Sequence, residues 1–223
     1  MKQAFTCTPL LLATALLCGG ANAAKNKSVG EPGEFDYYAL ALSWSPSYCA
    51  TNGDRDPNQC GSGRRLGFVL HGLWPQYENG YPQNCSREKL PEQLRRKYEG
   101  IYPSPKLIGH EWSKHGTCSG LGPEGYLALS AKLKDAVVVP AAYRAPEQPV
   151  RVTIPQFKEA FRSANPRLAQ DAVVPFCTGA GRFLREIRVC YAKDGASRSC
   201  GKAEIKRSEK SCGQASFLLQ SVR

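Results

Sequence analysis

Residues 35–44 read FDYYALALSW, a run with one charge in a chain that is 22% charged overall. Its aromatic and apolar residues, free of glycine and proline, suit a buried β-strand. Working outward, residues 66–70, LGFVL, make a second strand that leads directly into His71 and Gly72. Between the two, Thr51 to Gly63 holds four glycines or prolines among polar residues, which predicts a loop with Cys49 and Cys60 near its ends. Helices are expected over about 88–98, about 109–118, Gly125 to Val139 and Thr153 to Ala164. The third carries Tyr126, Leu129, Leu133 and Val137 at helical spacing, and the fourth opens with the capping box Thr153-x-x-Gln156. Val173 to Cys177 and Phe183 to Ala192 are strand-like, the latter alternating through Ile187, Val189 and Tyr191. Early strands, central helices and late strands predict an α+β fold with a central antiparallel sheet flanked by helices.

The first 23 residues combine Lys2, an apolar run from Pro9 to Leu17 and the small-residue pattern Ala21-Asn22-Ala23, as a secretory signal peptide does. The apolar run is shorter than the ~20 residues a membrane span needs. Residues 24–223 then read as one domain with no repeat and no membrane insertion, and nothing in them demands more than a monomer. Losing Lys2 takes the chain's +11 to +10, an excess that favours polyanions over neutral or cationic partners. Eight cysteines remain after the leader: Cys49, Cys60, Cys85, Cys118, Cys177, Cys190, Cys200 and Cys212. An even count in an exported chain reads as four disulfides, with 105 pairings open, and no C-x-x-C pair supports a thiolate metal site.

All three histidines fall in two segments, FVLHGLWPQ at 68–76 and HEWSKHGTC at 110–118. At ~100° per residue on a helix, His110, Glu111, Lys114 and His115 lie at ~0°, 100°, 40° and 140°, so one face gathers two imidazoles, a carboxylate and an ammonium. The metalloprotease motif H-E-x-x-H spaces its histidines by four, whereas here they are five apart, and Lys114 would bring a positive charge to the metal. RNA carries its own nucleophile in the 2′-hydroxyl, so its cleavage needs a base, an acid and a cation to balance phosphorane charge. Two imidazoles and Lys114 supply them without metal or cofactor. A protein that only bound polyanions would have no use for the set His71, Lys114 and His115.

Both histidine segments closely resemble the two active-site segments of the ribonuclease T2 family, and the likeness extends to FDYYALALSWSPSYC and to the cysteine layout. The resemblance implies an exported, periplasmic or secreted endoribonuclease that cleaves single-stranded RNA by transphosphorylation to 2′,3′-cyclic phosphate ends, then more slowly to 3′-phosphates. It implies His115 as base and His71 as acid, Glu111 and Lys114 as supports of the pentacovalent phosphate, His110 as a phosphate ligand and Trp74 as a base-stacking ring. It also implies the pairs Cys49–Cys60, Cys85–Cys118, Cys177–Cys212 and Cys190–Cys200. Where plant members carry a glutamine this chain has Leu42 and Ser43, and where fungal members carry an aspartate it has Gln76. Loss of those polar contacts implies low base specificity.

Overall fold

The computed structural model of the chain describes Met1 and residues 30–222; the rest of the expected leader, residues 2–23, lies outside them. In chain order the elements are β1 (Tyr37–Trp44), α1 (Ser45–Asn52), α2 (Pro57–Cys60), β2 (Phe68–Gln76), α3 (Glu92–Tyr98), α4 (Pro105–Lys114) and α5 (Gly122–Ala136). There follow α6 (Ala141–Arg144), β3 (Val150–Val152), α7 (Ile154–Ala164), β4 (Val173–Thr178), β5 (Phe183–Tyr191), α8 (Lys202–Ser211) and β6 (Phe217–Leu219).

The FDYYALALSW run forms β1, which pairs antiparallel with β2 on one edge and β5 on the other. Its alternation serves two faces. Tyr38, Leu40, Leu42 and Trp44 enter the main core with Leu70, Leu73, Ile187 and Val189, while Tyr37 and Ala39 join a smaller cluster with Val174, Phe176 and Cys190. A strand buried on both faces has to be apolar throughout, which is why this run carries the fold. Helices α4, α5 and α7 close the main core through Ile108, Trp112, Tyr126, Leu127, Phe157 and Phe161. Helix α8 lies against β4, with the Ser208 hydroxyl donating to the carbonyl of Pro175 at 2.5 Å.

Two β-bulges interrupt the ladders. Against β1, Ala41 faces Gly72 and Leu42 faces Leu70, so His71 is the extra residue of β2. Against β4, Phe176 faces Glu186 and Cys177 faces Leu184, so Arg185 is the extra residue of β5. Leu70 and Leu73, three apart, therefore share the core face, as do Leu184 and Ile187. Both pairs of intervening residues turn to the other face.

The sheet departs from a purely antiparallel one at a single parallel pair, Phe183 with Leu218, where β6 takes the edge of β5 that β1 has left. Strand β2 runs on to Gln76 instead of ending at Leu70, because the bulge absorbs the break in alternation. The histidine helix spans Pro105–Lys114 rather than about 109–118, and the expected loop at 51–63 contains the short α2, capped by the Asp56 side chain. The capping box of Thr153 and Gln156 is present at the start of α7. Among the described residues no helix is long and apolar enough to cross a membrane.

Disulfides join Cys49 to Cys60, Cys85 to Cys118, Cys177 to Cys212 and Cys190 to Cys200, the pairing implied by the resemblance. The second ties the strand-to-helix loop to the turn just past His115. Asn84, beside it, donates its backbone N–H to the carbonyl of Lys114 at 2.9 Å, holding the end of α4. Replacing Cys85 and Cys118 together by serine is expected to lower the unfolding free energy by about 2–4 kcal/mol. Calorimetry should show that loss, and activity should fall even at temperatures where the variant stays folded.

Candidate active site

Helix α4 starts at Pro105, whose fixed φ suits the first turn, and buries Ile108, Glu111 and Trp112 while leaving His110 exposed. It stops at Lys114. His115 sits at the C-cap with φ −118°, and the chain leaves in a tight turn over Gly116–Cys118. Gly116 is required there, since a Cβ would come within 2.4 Å of the Trp112 ring and 2.8 Å of Tyr126. Departure from the helix swings the His115 imidazole, 5% exposed, into stacking contact with Trp74 at 5.3 Å and 29°.

Across from α4, strand β2 presents His71, Gly72 and Trp74. The Glu111 carboxylate lies directly over Gly72, where a Cβ would be 1.8 Å from its Oε2. That oxygen accepts the Trp74 indole N–H at 2.7 Å. Oε1 lies 3.9 Å from Nε2 of His71 and 4.0 Å from Nε2 of His110. The Trp74 ring also meets His71 edge-on at 4.9 Å, so one indole separates and orients the two imidazoles. It is 9% exposed and carries the Arg188 guanidinium over it at 4.8 Å.

Strand β5 brings residues that the sequence reading did not single out. Glu186, at the second bulge, turns its Oε2 to Nδ1 of His71 at 3.5 Å. Its Oε1 accepts from Arg188 Nε at 3.0 Å and Nη2 at 2.8 Å, and from Arg185 Nη2 at 3.2 Å. Arg188 in turn bonds Glu204 on α8. The available signal was FLREIRVCY itself, with charges at 186 and 188 between core residues; alternation alone reads such charges as solvent-facing.

These surroundings divide the titrating groups. Burial drives His115 down to about 2, and the positive charges of Lys114, His110, His71 and Arg188 add to the effect. Burial opposes charge on His71 too, but Glu186 and Glu111 outweigh it and hold the imidazole above its ordinary 6.5. His110 is lowered by burial and by Lys114 and His71. Burial raises Glu111 to about 7 against the pull of His71 and the Trp74 N–H. Glu186, equally buried, instead falls well below the carboxylate range, because the close approach of His71 and the charges of Arg188 and Arg185 outweigh desolvation.

All six expected site residues, His71, Trp74, His110, Glu111, Lys114 and His115, line one cleft of about 390 Å³. A second hollow of about 280 Å³ shares His71 and His110 and continues past Ser43, Tyr48 and Leu107. Larger hollows of about 470 and 810 Å³ elsewhere contain no histidine. A buried imidazole held neutral, a second biased towards its charged form and a lysine in one groove can make an acid–base site for an anionic substrate.

Residues 35–200 match the ribonuclease T2 family, and the chain belongs to that family. It is 42% identical to a ribonuclease of Aeromonas hydrophila, over 87% of this chain and 89% of that one. It is 24% identical to ribonuclease I of Escherichia coli, over 86% and 88%. Among solved structures, ribonuclease MC1 from bitter gourd seeds superposes with TM-score 0.58 at 21% identity, covering 73% of this chain and 92% of that one. Ribonuclease NT in complex with 5′-AMP superposes with TM-score 0.55 at 27% identity, over 75% and 96%.

The Gly72–Glu111 contact is open to a direct test. Gly72→Ala must displace the carboxylate from the indole, and activity is expected to fall by ~10² or more while the far-ultraviolet spectrum stays native and stability drops by about 1–3 kcal/mol. Full activity in the folded variant would show that Glu111 need not sit over residue 72.

Proposed function

We propose that this protein is an exported, metal-independent endoribonuclease that cleaves single-stranded RNA by transphosphorylation. The observation that carries the reading is the opposite treatment of two imidazoles held on one indole. His115, kept neutral, takes the proton of the 2′-hydroxyl. The 2′-oxygen then bonds to phosphorus as the bond to the 5′-oxygen breaks, and His71 gives its proton to the departing oxygen. Lys114 and Glu111 steady the pentacovalent phosphate, and His110, exposed at the rim, holds the phosphate. The product ends in a 2′,3′-cyclic phosphate. Water opens it more slowly with the two histidine roles exchanged, leaving a 3′-phosphate.

The two hollows that meet at His71 and His110 suit an internal bond with nucleotides on both sides, as endonucleolytic cleavage requires. Low base specificity is supported by Gln76, which is 2% exposed and donates its side-chain amide to the carbonyl of Pro75 at 2.9 Å. With His115 and Arg188 against its ring, Trp74 is best suited to fix Glu111 and the imidazoles. Tyr81, 43% exposed at the cleft, is the better platform for a base. The leader pattern and four disulfides support a periplasmic or secreted location, since such bridges persist in oxidising compartments. We assign the protein as a monomer.

Oxidised protein incubated with a short single-stranded RNA in excess chelator is expected to give fragments ending in 2′,3′-cyclic phosphate by mass spectrometry. His115→Ala should cut turnover by ~10² or more while RNA binding persists. Dependence on added metal, or unchanged turnover in the variant, would overturn the mechanism.

The acid must be protonated, so kcat/KM should decline as pH rises through the raised value of His71, while His115 stays neutral down to about 2 and sets no limb in the ordinary acid range. Glu186→Gln removes the carboxylate that helps hold His71 charged. The alkaline limb should then move to lower pH, and a pH profile of kcat/KM with the limb unmoved would detach Glu186 from the acid.

A further inference from the structure

The active-site cleft is more cationic than cleavage of one phosphodiester requires. Besides its histidines it is lined by Lys114, Arg185, Arg188 and Arg207, against a single lining carboxyl, Glu111. The three arginines are linked through two buried acids into a ladder running Arg185, Glu186, Arg188, Glu204, Arg207. The two acids are 4% and 0% exposed and lie beneath the cleft. Arg188, at the middle, is 14% exposed, bonded to both acids and packed over Phe176 at 4.0 Å. The end arginines differ from it: the side chains of Arg185 and Arg207 are 49% and 42% exposed.

A guanidinium has five donors in a planar fork. An acid that grips one edge leaves the other edge free, and it removes rotamer freedom before any ligand arrives. Arg185 is aimed by the β5 bulge and Arg207 by the buried Glu204 one turn earlier on α8. Both present donors to the cleft at settled positions, and phosphate is the anion whose geometry such forks match. Neither is needed for the proton transfers assigned to His71 and His115. We propose that Arg185 and Arg207 form a subsite for a second, uncleaved phosphodiester of the same RNA strand, so that the enzyme prefers polymers to dinucleotides. The subsite rests on the endoribonuclease reading for the identity of its strand.

The test compares the protein with its Arg185→Ala/Arg207→Ala variant on a dinucleoside monophosphate, which has only the scissile phosphate, and on a pentanucleotide. The ratio of kcat/KM for the longer substrate to that for the shorter is expected to fall about tenfold or more. In a His115→Ala background, the slope of log affinity against log salt for the pentanucleotide should shrink by about 0.7 for the lost phosphate contact. Equal losses on both substrates would overturn the subsite, since the arginines would then act through the ladder on His71; so would a ratio that does not change. Where the double variant fails to fold, Arg207→Ala, which leaves Glu204 paired with Arg188, is read in the same way. If the unmodified protein cleaves neither substrate, the endoribonuclease reading fails. The affinity arm then decides alone: weaker pentanucleotide binding in the variant upholds the subsite, and equal binding overturns it.

Discussion

The site depends on a constraint in the middle strand of the sheet. On the cleft side of β1 stand Ala39 and Ala41, which pair with Trp74 and Gly72 of β2 and with Cys190 and Arg188 of β5. Two methyl groups fill little of that face, so large side chains from the flanking strands can lean across the central one. The bulges at His71 and Arg185 then place two consecutive residues of each flanking strand on the cleft face, and His71 meets Glu186 across the gap. Regular pairing of β2 with β1 would set His71 opposite Leu42 and send it into the core, whereas Glu186 already faces the cleft through its regular pairing with Ser43, so a larger residue at 41 or a corrected β2 register would separate them.

The carboxylates show how placement overrides residue type. Glu111 and Glu186 are both buried within reach of His71, yet one is raised to about 7 and the other lowered. Glu186 has two guanidinium groups at hydrogen-bond distance, whereas Glu111 has one neutral indole N–H and its imidazole neighbours at 3.9 Å or more. Its folded-state value is raised, so the stability it contributes is present below about 4.5 and is lost as pH rises through about 7. Such a cost at neutral pH in a fully packed position fits the role proposed for Glu111 in the cleft.

Much of this was legible in the sequence, and the failures have physical causes. FDYYALALSW announced the central strand because burial on both faces leaves no polar phase to confuse the pattern. The two histidine segments announced the cleft because their chemistry is local: His110, Glu111 and Lys114 belong to one helix, and His115 follows it directly. The end of that helix was not legible, since nothing in HEWSKHGTC shows that Gly116 must pass within 2.4 Å of a ring. Helix α8 was missed because its sequence, KAEIKRSEKS, buries a polar face, Glu204 and Ser208, where an apolar stripe would be sought. Without α8 the charges at Glu186 and Arg188 look like solvent-facing residues of an edge, and their role under the cleft depends on contacts far apart in the chain.

On the proposed mechanism, the low value of His115 has a further consequence. After the first step this imidazole carries the abstracted proton in surroundings that disfavour its charge: burial, Lys114 and the remaining cations all act against it. The imidazolium is therefore a strong acid, ready to return a proton to the 2′-oxygen when water attacks the cyclic phosphate. His71, having lost its proton, serves as base for that water and regains the charge that Glu186 and Glu111 favour. The environment thus drives both histidines back to their starting states. What slows the second step is the nucleophile: the 2′-hydroxyl is tethered beside phosphorus, whereas water has to be bound and oriented, and tethering of that kind lowers a barrier substantially.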